Sequence, residues 1–164
     1  ISSKIEDSNL HVVPLARVEQ VLVASPSYLN QSTPIPRPED LKHHDLIPMN
    51  VIKNYQSLSF QHSVTNEDIS LEMRSRLTSN NVLVAKALCQ QGHGIARILY
   101  LDAQKDLVNG ALVEVLPEWK LPSFTLYAII SKHEQQPMKI HRCLEALKQY
   151  FCQLPGGRIY QEAS

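Results

Sequence analysis

Thr78-Ser79-Asn80-Asn81-Val82-Leu83-Val84-Ala85-Lys86-Ala87-Leu88-Cys89-Gln90-Gln91-Gly92-His93-Gly94-Ile95-Ala96-Arg97-Ile98-Leu99-Tyr100 is the stretch on which the fold turns. Four consecutive side chains able to accept backbone N–H bonds stand before an apolar run. They predict a helix from 82 to about 91. Gly92-His93-Gly94 stops that helix, and Ile95 to Tyr100 reads as a buried strand. From Val82 to Cys89 every residue except Lys86 is apolar. A helix apolar on all sides has to be covered on all sides. Its own sheet can cover one face; the other calls for a second subunit or for a further part of a longer parent protein.

The chain around this stretch repeats the alternation of elements. A short helix follows to about Val108, then strands over 112–116 and 124–130, connected by Pro117-Glu118-Trp119-Lys120-Leu121-Pro122. The last helix opens at Pro137, with Ile140, Cys143, Leu144, Leu147, Phe151 and Leu154 as one apolar stripe. Pro155-Gly156-Gly157 ends it, and Arg158 to Ser164 reads as a frayed tail. Upstream, 57–64 and 69–77 alternate with a two-residue period about Thr65-Asn66-Glu67-Asp68 and predict a hairpin. Thr33-Pro34-Ile35-Pro36-Arg37-Pro38 is a stiff connector into a short helix, Glu39 to His44. Residues 12–25 read as extended through Val21-Leu22-Val23-Ala24, after which Ser25-Pro26-Ser27 turns the chain. Strands alternating with helices imply an α/β architecture with a mainly parallel sheet.

Composition narrows the function. Of 164 residues, 43% are hydrophobic and 20% charged, with no apolar run long enough to span a membrane. Lysine plus arginine equals aspartate plus glutamate at 16 each, so no positive field would hold these residues on DNA or an anionic membrane. Cys89, Cys143 and Cys152 are odd in number and unrelated in spacing, which argues against a disulfide framework and fits a reducing, cytoplasmic compartment. A first residue Ile1, with no basic and apolar leader, suggests a fragment or a processed product.

Catalytic signatures are missing: there is no Gly-x-Ser-x-Gly elbow, no phosphate-cradling glycine loop and no zinc-type cysteine pair. No cofactor or metal is implied. Cys89 and His93 are four apart, but Gly92 interrupts the geometry that would pair thiol and imidazole; the alternative is a buried thiol beside a loop histidine. His43-His44-Asp45 reads as a solvated helix end. Thr78-Ser79-Asn80-Asn81 has two readings: a plain helix cap, or a helix start whose N–H groups, hydroxyls and amides hold an anion at the carboxyl ends of the strands.

At this point a pattern is visible. Val21-Leu22-Val23-Ala24-Ser25-Pro26-Ser27-Tyr28-Leu29, Pro38-Glu39-Asp40-Leu41 and His44 come first in it, followed by Asn80/Asn81, the apolar helix and Gly92-His93-Gly94-Ile95-Ala96. Gly110-Ala111-Leu112-Val113, Leu116-Pro117-Glu118-Trp119, Leu126-Tyr127-Ala128 and Pro137-Met138-Lys139 complete it. In order and spacing these resemble the effector-binding domain of LysR-type transcriptional regulators, from about Ile1 to Phe151. The resemblance implies a type II periplasmic-binding-protein-like fold of two lobes, with lobe two complete over 21–124. Lobe one would be partial, formed by 1–20 and 125–154, with 155–164 as tail. It implies a small, anionic effector, plausibly a carboxylate, held between the lobes by Met49, Asn50, Ser79, Asn80, Asn81, Ile95, Arg97 and Tyr127. It also implies a homodimer or higher homo-oligomer through Leu83, Val84, Ala87 and Leu88, and DNA contact only through an N-terminal winged helix-turn-helix absent here.

Two residues depart from the family pattern. His93 stands where an apolar residue is usual, and Arg97-Ile98-Leu99-Tyr100 where a proline often follows. Arg97 would suit a carboxylate, unless it points to solvent. Two other functions fit the same scaffold: a transport-type solute-binding protein, and a thiol switch centred on Cys89.

Overall fold

The computed structural model describes residues 10–47, 55–75, 77, 79–131, 137–154 and 156–159. In chain order the elements are β1 (Leu10–Val18), β2 (Gln20–Ala24), α1 (Pro26–Gln31), a 3-10 helix (Pro38–His43), β3 (Leu46–Ile47), β4 (Tyr55–His62) and β5 (Asp68–Arg74). They continue as α2 (Val82–Gln90), β6 (Ile95–Leu99), α3 (Tyr100–Val108), β7 (Val113–Val115), β8 (Trp119–Lys120), β9 (Phe124–Ser131), α4 (Met138–Gln153) and β10 (Gly157–Ile159). The chain divides into two compact units: residues 1–18 with 123–164, and residues 19–122.

In the smaller unit β1 is the central strand, antiparallel to β9 on one edge and to β10 on the other, with a register shift between Pro14 and Ala16. Proline has no N–H to give a ladder, so a bulge at that point is the expected accommodation. The strand β10 stands where a tail is expected from the sequence; three residues pair with Ala16, Arg17 and Val18, too short a run for periodicity to reveal. α4 buries Leu144 and half-buries Ile140, Leu147 and Phe151, while Cys143, at the margin of the stripe, is exposed. The cross-strand partners Val12 and Ile129 are both exposed, as are Tyr127 and Phe124.

The larger unit is built on a four-stranded sheet of order β3-β6-β2-β7. The expectation of a mainly parallel sheet is corrected here. β3 and β6 are parallel, but β2 lies between β6 and β7 and is antiparallel to both. The β6–α3–β7 crossover does give two strands of one direction, as helix-strand alternation requires; β2 is inserted between them. A second sheet, β5-β4-β8, is antiparallel and contains the expected hairpin.

The central sheet is covered on both faces, which accounts for the unbroken apolar run of β2. Leu22, Ala24, Leu46, Ile95 and Val115 face Leu41, Leu58, Phe60, Leu71, Met73 and Trp119. Val21, Val23, Ile47, Ala96 and Ile98 face Ala85 and Cys89 of α2 and Ala103 of α3. Ile47, Leu58 and Ile95 are fully buried, each worth about 1.5–3 kcal/mol relative to an exposed side chain.

Local chemistry sets the ends of these elements. Ser25 does not merely turn the chain: its Oγ accepts the Tyr28 N–H at 3.3 Å and caps α1, with Pro26 in the first turn. Gly94 has φ +144° and lies so close to Asp45 that a Cβ would collide with the Asp45 carbonyl, which accepts the Ile95 N–H at 2.8 Å. His44 is not a solvated helix end. It is buried, and its two ring nitrogens meet the Tyr28 hydroxyl and the Thr33 hydroxyl, both at 3.2 Å. The Tyr28 oxygen accepts the Asp45 N–H at 3.1 Å, and a neutral His44 ring, with one donor and one acceptor nitrogen, satisfies both hydroxyls in either tautomer.

A neutral ring agrees with a His44 pKa held below the ordinary value by burial, reinforced by His43 and opposed by Asp40 and Asp45. A folded-state pKa below the unfolded one means that the unfolded chain binds more protons. The stabilisation is therefore complete above the unfolded pKa of about 6.5 and is lost as pH falls below it. Melting temperature is expected to drop between about pH 7.5 and about pH 5.5, and to drop less in His44→Gln. Equal slopes in the two proteins would contradict the assignment.

Candidate functional site

The start of α2 is where sequence and structure meet most directly. Asn81 is the N-cap, its Oδ1 accepting the Leu83 N–H at 2.8 Å. Ser79 is buried; its Oγ accepts the Asn81 N–H and donates to the Asn81 carbonyl, both at 3.1 Å. These two side chains are occupied by the cap itself. Asn80 between them is exposed and makes no hydrogen bond among the described residues. Thr78, Met49 and Asn50 lie outside the described residues.

The residues expected on β6 separate. Ile95 is fully buried in the core, so its side chain offers no ligand surface. Arg97 is half-buried, and among the described residues its guanidinium has no hydrogen-bond or ion-pair partner. Burial alone holds its pKa below the ordinary arginine value. Arg97 pairs across the ladder with Leu22, so it shares the sheet face of Leu22 and Ile95. α2 packs on the other face, with Ala96 and Ile98. Arg97 is the middle residue of β6 and lies on the sheet face opposite α2. Tyr127 is an exposed residue of the smaller unit.

α2 presents an apolar outward face. Leu83 is 67% and Val84 48% exposed, Ala87 is exposed and Leu88 is partly buried against the core. The thiol-switch reading of Cys89 does not survive the geometry. Cys89 is fully buried, its Sγ donates to the Val23 carbonyl at 3.2 Å, and burial pushes its pKa up to about 11. A thiolate is the reactive form, and this site opposes it. His93 is exposed while Cys89 is buried, so no thiol–imidazole pair forms. Among the described residues no group of three His, Cys, Asp or Glu could hold a metal ion, and no helix is long and apolar enough to cross a membrane.

Two hollows have no counterpart in the sequence reading. One of about 380 Å³ in the larger unit is lined by Tyr28, Asp45, Leu46, Leu77, Gly92 and His93. Another of about 620 Å³, in the smaller unit, lies between Pro14 and Leu15 of β1 and Glu145, Lys148, Gln149, Cys152 and Gln153 of α4. Both assemble residues from distant segments, so no local pattern announces them.

With the geometry in place, residues 1–152 match the model of the LysR substrate binding domain. The chain belongs to the LysR substrate-binding family. Its fold is accordingly of the type II periplasmic-binding-protein kind. It is similar to the HTH-type transcriptional regulator PtxR of Pseudomonas aeruginosa, 28% identical over 149 residues that cover 91% of this chain and 47% of the relative. It is also similar to the HTH-type transcriptional activator AaeR of Escherichia coli K12, 24% identical over 160 residues, 96% of this chain and 50% of the relative. The chain thus spans about half the length of the curated relatives it matches. Among solved structures it superposes on the full-length Vibrio cholerae virulence activator AphB with a TM-score of 0.71 at 24% identity, covering 87% of this chain and 48% of that one. The regulatory domain of CrgA from Neisseria meningitidis gives 0.68 at 18% identity, over 90% and 71% of the two chains. At these identities the likeness concerns the fold.

The buried Cys89 of this LysR-family domain has a chemical consequence. A maleimide added to the native chain is expected to modify the exposed Cys143 and spare Cys89 until denaturant is added. Mass spectrometry of the peptides checks this; native labelling of Cys89 at the rate of Cys143 would restore the thiol as a switch candidate.

Proposed function

We propose that this chain is the effector-sensing part of a LysR-type transcriptional regulator and responds to a small anionic molecule, a carboxylate being the best fit. The observation that supports the role is the family match across 1–152, joined to relatives named as HTH-type transcriptional regulators. In this reading the chain works in the cytoplasm by binding and not by catalysis. DNA is contacted only through an N-terminal winged helix-turn-helix outside this sequence, in keeping with the equal numbers of acidic and basic residues, 16 each.

Arg97 supports the charge of the ligand. A half-buried guanidinium without a partner among the described residues has lost part of its hydration, and a carboxylate would replace that with two parallel N–H···O bonds. Asn80, exposed beside the capped start of α2 and without a hydrogen bond among the described residues, would offer an amide contact and the partial positive charge of the helix end to a ligand that reaches that side of the sheet. Ser79 and Asn81 act in this proposal by shaping the backbone, and Tyr127, Met49 and Asn50 remain candidates for further contacts. Effector binding would then favour one of two arrangements of paired subunits. The pairing would use Leu83, Val84, Ala87 and Leu88, since exposed side chains of this kind on one helix face form an apolar patch.

Titration calorimetry with a panel of small mono- and dicarboxylates is expected to find a ligand whose affinity falls about tenfold or more in Arg97→Ala and less in Asn80→Ala. Melting temperature should change little in either variant. Unchanged affinity in both would remove the site assignment.

Light scattering over a concentration series is expected to show self-association of this chain, its helix-mediated part lost in Leu83→Glu and weakened in Leu88→Glu. Among the described residues β9 pairs only with β1, so a second, edge-driven association would persist in those variants. A folded monomer at high micromolar concentration would overturn both routes.

A further inference from the structure

Lys86 is the one charged residue of α2, and its position makes it a problem for the face beside it. At helical spacing Lys86 and Gln90 form the flank between the buried Ala85–Cys89 side and the exposed Leu83–Val84–Ala87 side. An untied lysine on that flank would extend its ammonium to water past Leu83 and border the apolar face with a charge. The structure holds it elsewhere. Lys86 Nζ lies 2.8 Å from Asp106 Oδ2 and donates to the Asp102 carbonyl at 3.1 Å, both on α3. Gln90 Nε2 donates to Asp106 Oδ1 at 3.0 Å, fixing the carboxylate from the same helix. Asp106 Oδ2 is buried and accepts no well-aligned hydrogen bond among the described residues, so what it offers Lys86 is charge. The side chains of the pair are 22% and 13% exposed, which takes them out of the class of loose surface ion pairs.

Resting on the proposal that a second copy docks on the outward face of α2, we infer that Asp106 is a positioning residue for self-association: it draws the Lys86 ammonium against α3 and keeps charge off the docking face. Charged groups are depleted at interface centres because they lose water there without gaining a partner. Asp106 is bonded to Gln90 and paired with Lys86, both on the flank of that face. It acts by removing a charge from the border of that face. The tie also links the two helices that cover one side of the central sheet, so its loss would be felt in stability as well; the test therefore separates the two effects.

Self-association of the 164-residue chain is measured by analytical ultracentrifugation, with urea unfolding alongside, for the parent, Leu83→Glu, Asp106→Asn, and Lys86→Met combined with Asp106→Asn. Asp106→Asn is expected to weaken association about tenfold, and the double variant to return to within about threefold of the parent. A tie that mattered only for helix packing would not be rescued by deleting the charge it holds. The inference is overturned if Asp106→Asn associates like the parent while Leu83→Glu does not. It is equally overturned if the double variant stays as weak as Asp106→Asn. If Leu83→Glu leaves association unchanged, the docking proposal fails and this inference with it. Should Asp106→Asn not fold, Lys86→Asp with Asp106→Lys keeps the tie with its charges exchanged, moving the ammonium to α3. Association like the parent's supports the inference, and its loss sinks it.

Discussion

The larger unit depends on satisfying β2 from every direction. Its backbone is bonded on one edge by β6 and on the other by β7, and its side chains are buried on both faces. A strand with no access to water must have all its N–H and C=O groups paired within the protein, and both layers above and below it must be apolar. This is why α2 and α3 lie on one side and the β4–β5 hairpin on the other. Even the Cys89 thiol is drawn in, its hydrogen directed to the Val23 carbonyl. Burial that serves the sheet has removed the thiol from chemistry.

Polar groups in this unit divide into those the fold consumes and those it leaves. Ser79 and Asn81 close the first turn of α2, Ser25 closes that of α1, and His44 is locked between two hydroxyls. A capping bond is worth about 1 kcal/mol, and an unmet buried donor costs about as much or more, so such groups are tied up first. What remains is informative. Among the described residues Asn80 and Arg97 have no side-chain partner, whereas the lone lysine of α2 is tied to Asp106. A cation without a partner among the described residues, a tied one and an apolar helix face are the features from which recognition can be built.

Much of the candidate site was readable from residue order. The cap before Val82, the stop at Gly92 and the strand from Ile95 each rest on chemistry within a few residues, and the helix and strand stand where that chemistry puts them. The hairpin about Thr65–Asp68 is of the same kind, since alternation and a polar turn are local signals. The short strands β3, β8 and β10 were not readable, because two or three residues carry no period and exist only through their partners. α1 was hidden for a related reason: Ser25-Pro26-Ser27 opens a turn and a helix with the same residues. Ile95 shows the limit at the site itself. Its place in the motif suggested a ligand contact, and its side chain is spent in the core.

By itself the sequence determined where α2 and α4 begin and end, that α2 is apolar around most of its circumference, and the family to which the whole belongs. These follow from capping, periodicity and the spacing of glycines and prolines, which act over one or two turns of chain. Only the tertiary structure decided that β2 is inserted antiparallel between β6 and β7, and that Arg97 and the start of α2 lie on opposite faces. It alone turned Lys86 toward α3. Each of these depends on residues far apart in the chain, brought together because the apolar faces of several elements must be buried at once. Burial of that kind is set by the sum of many side chains and is written in no single stretch of them.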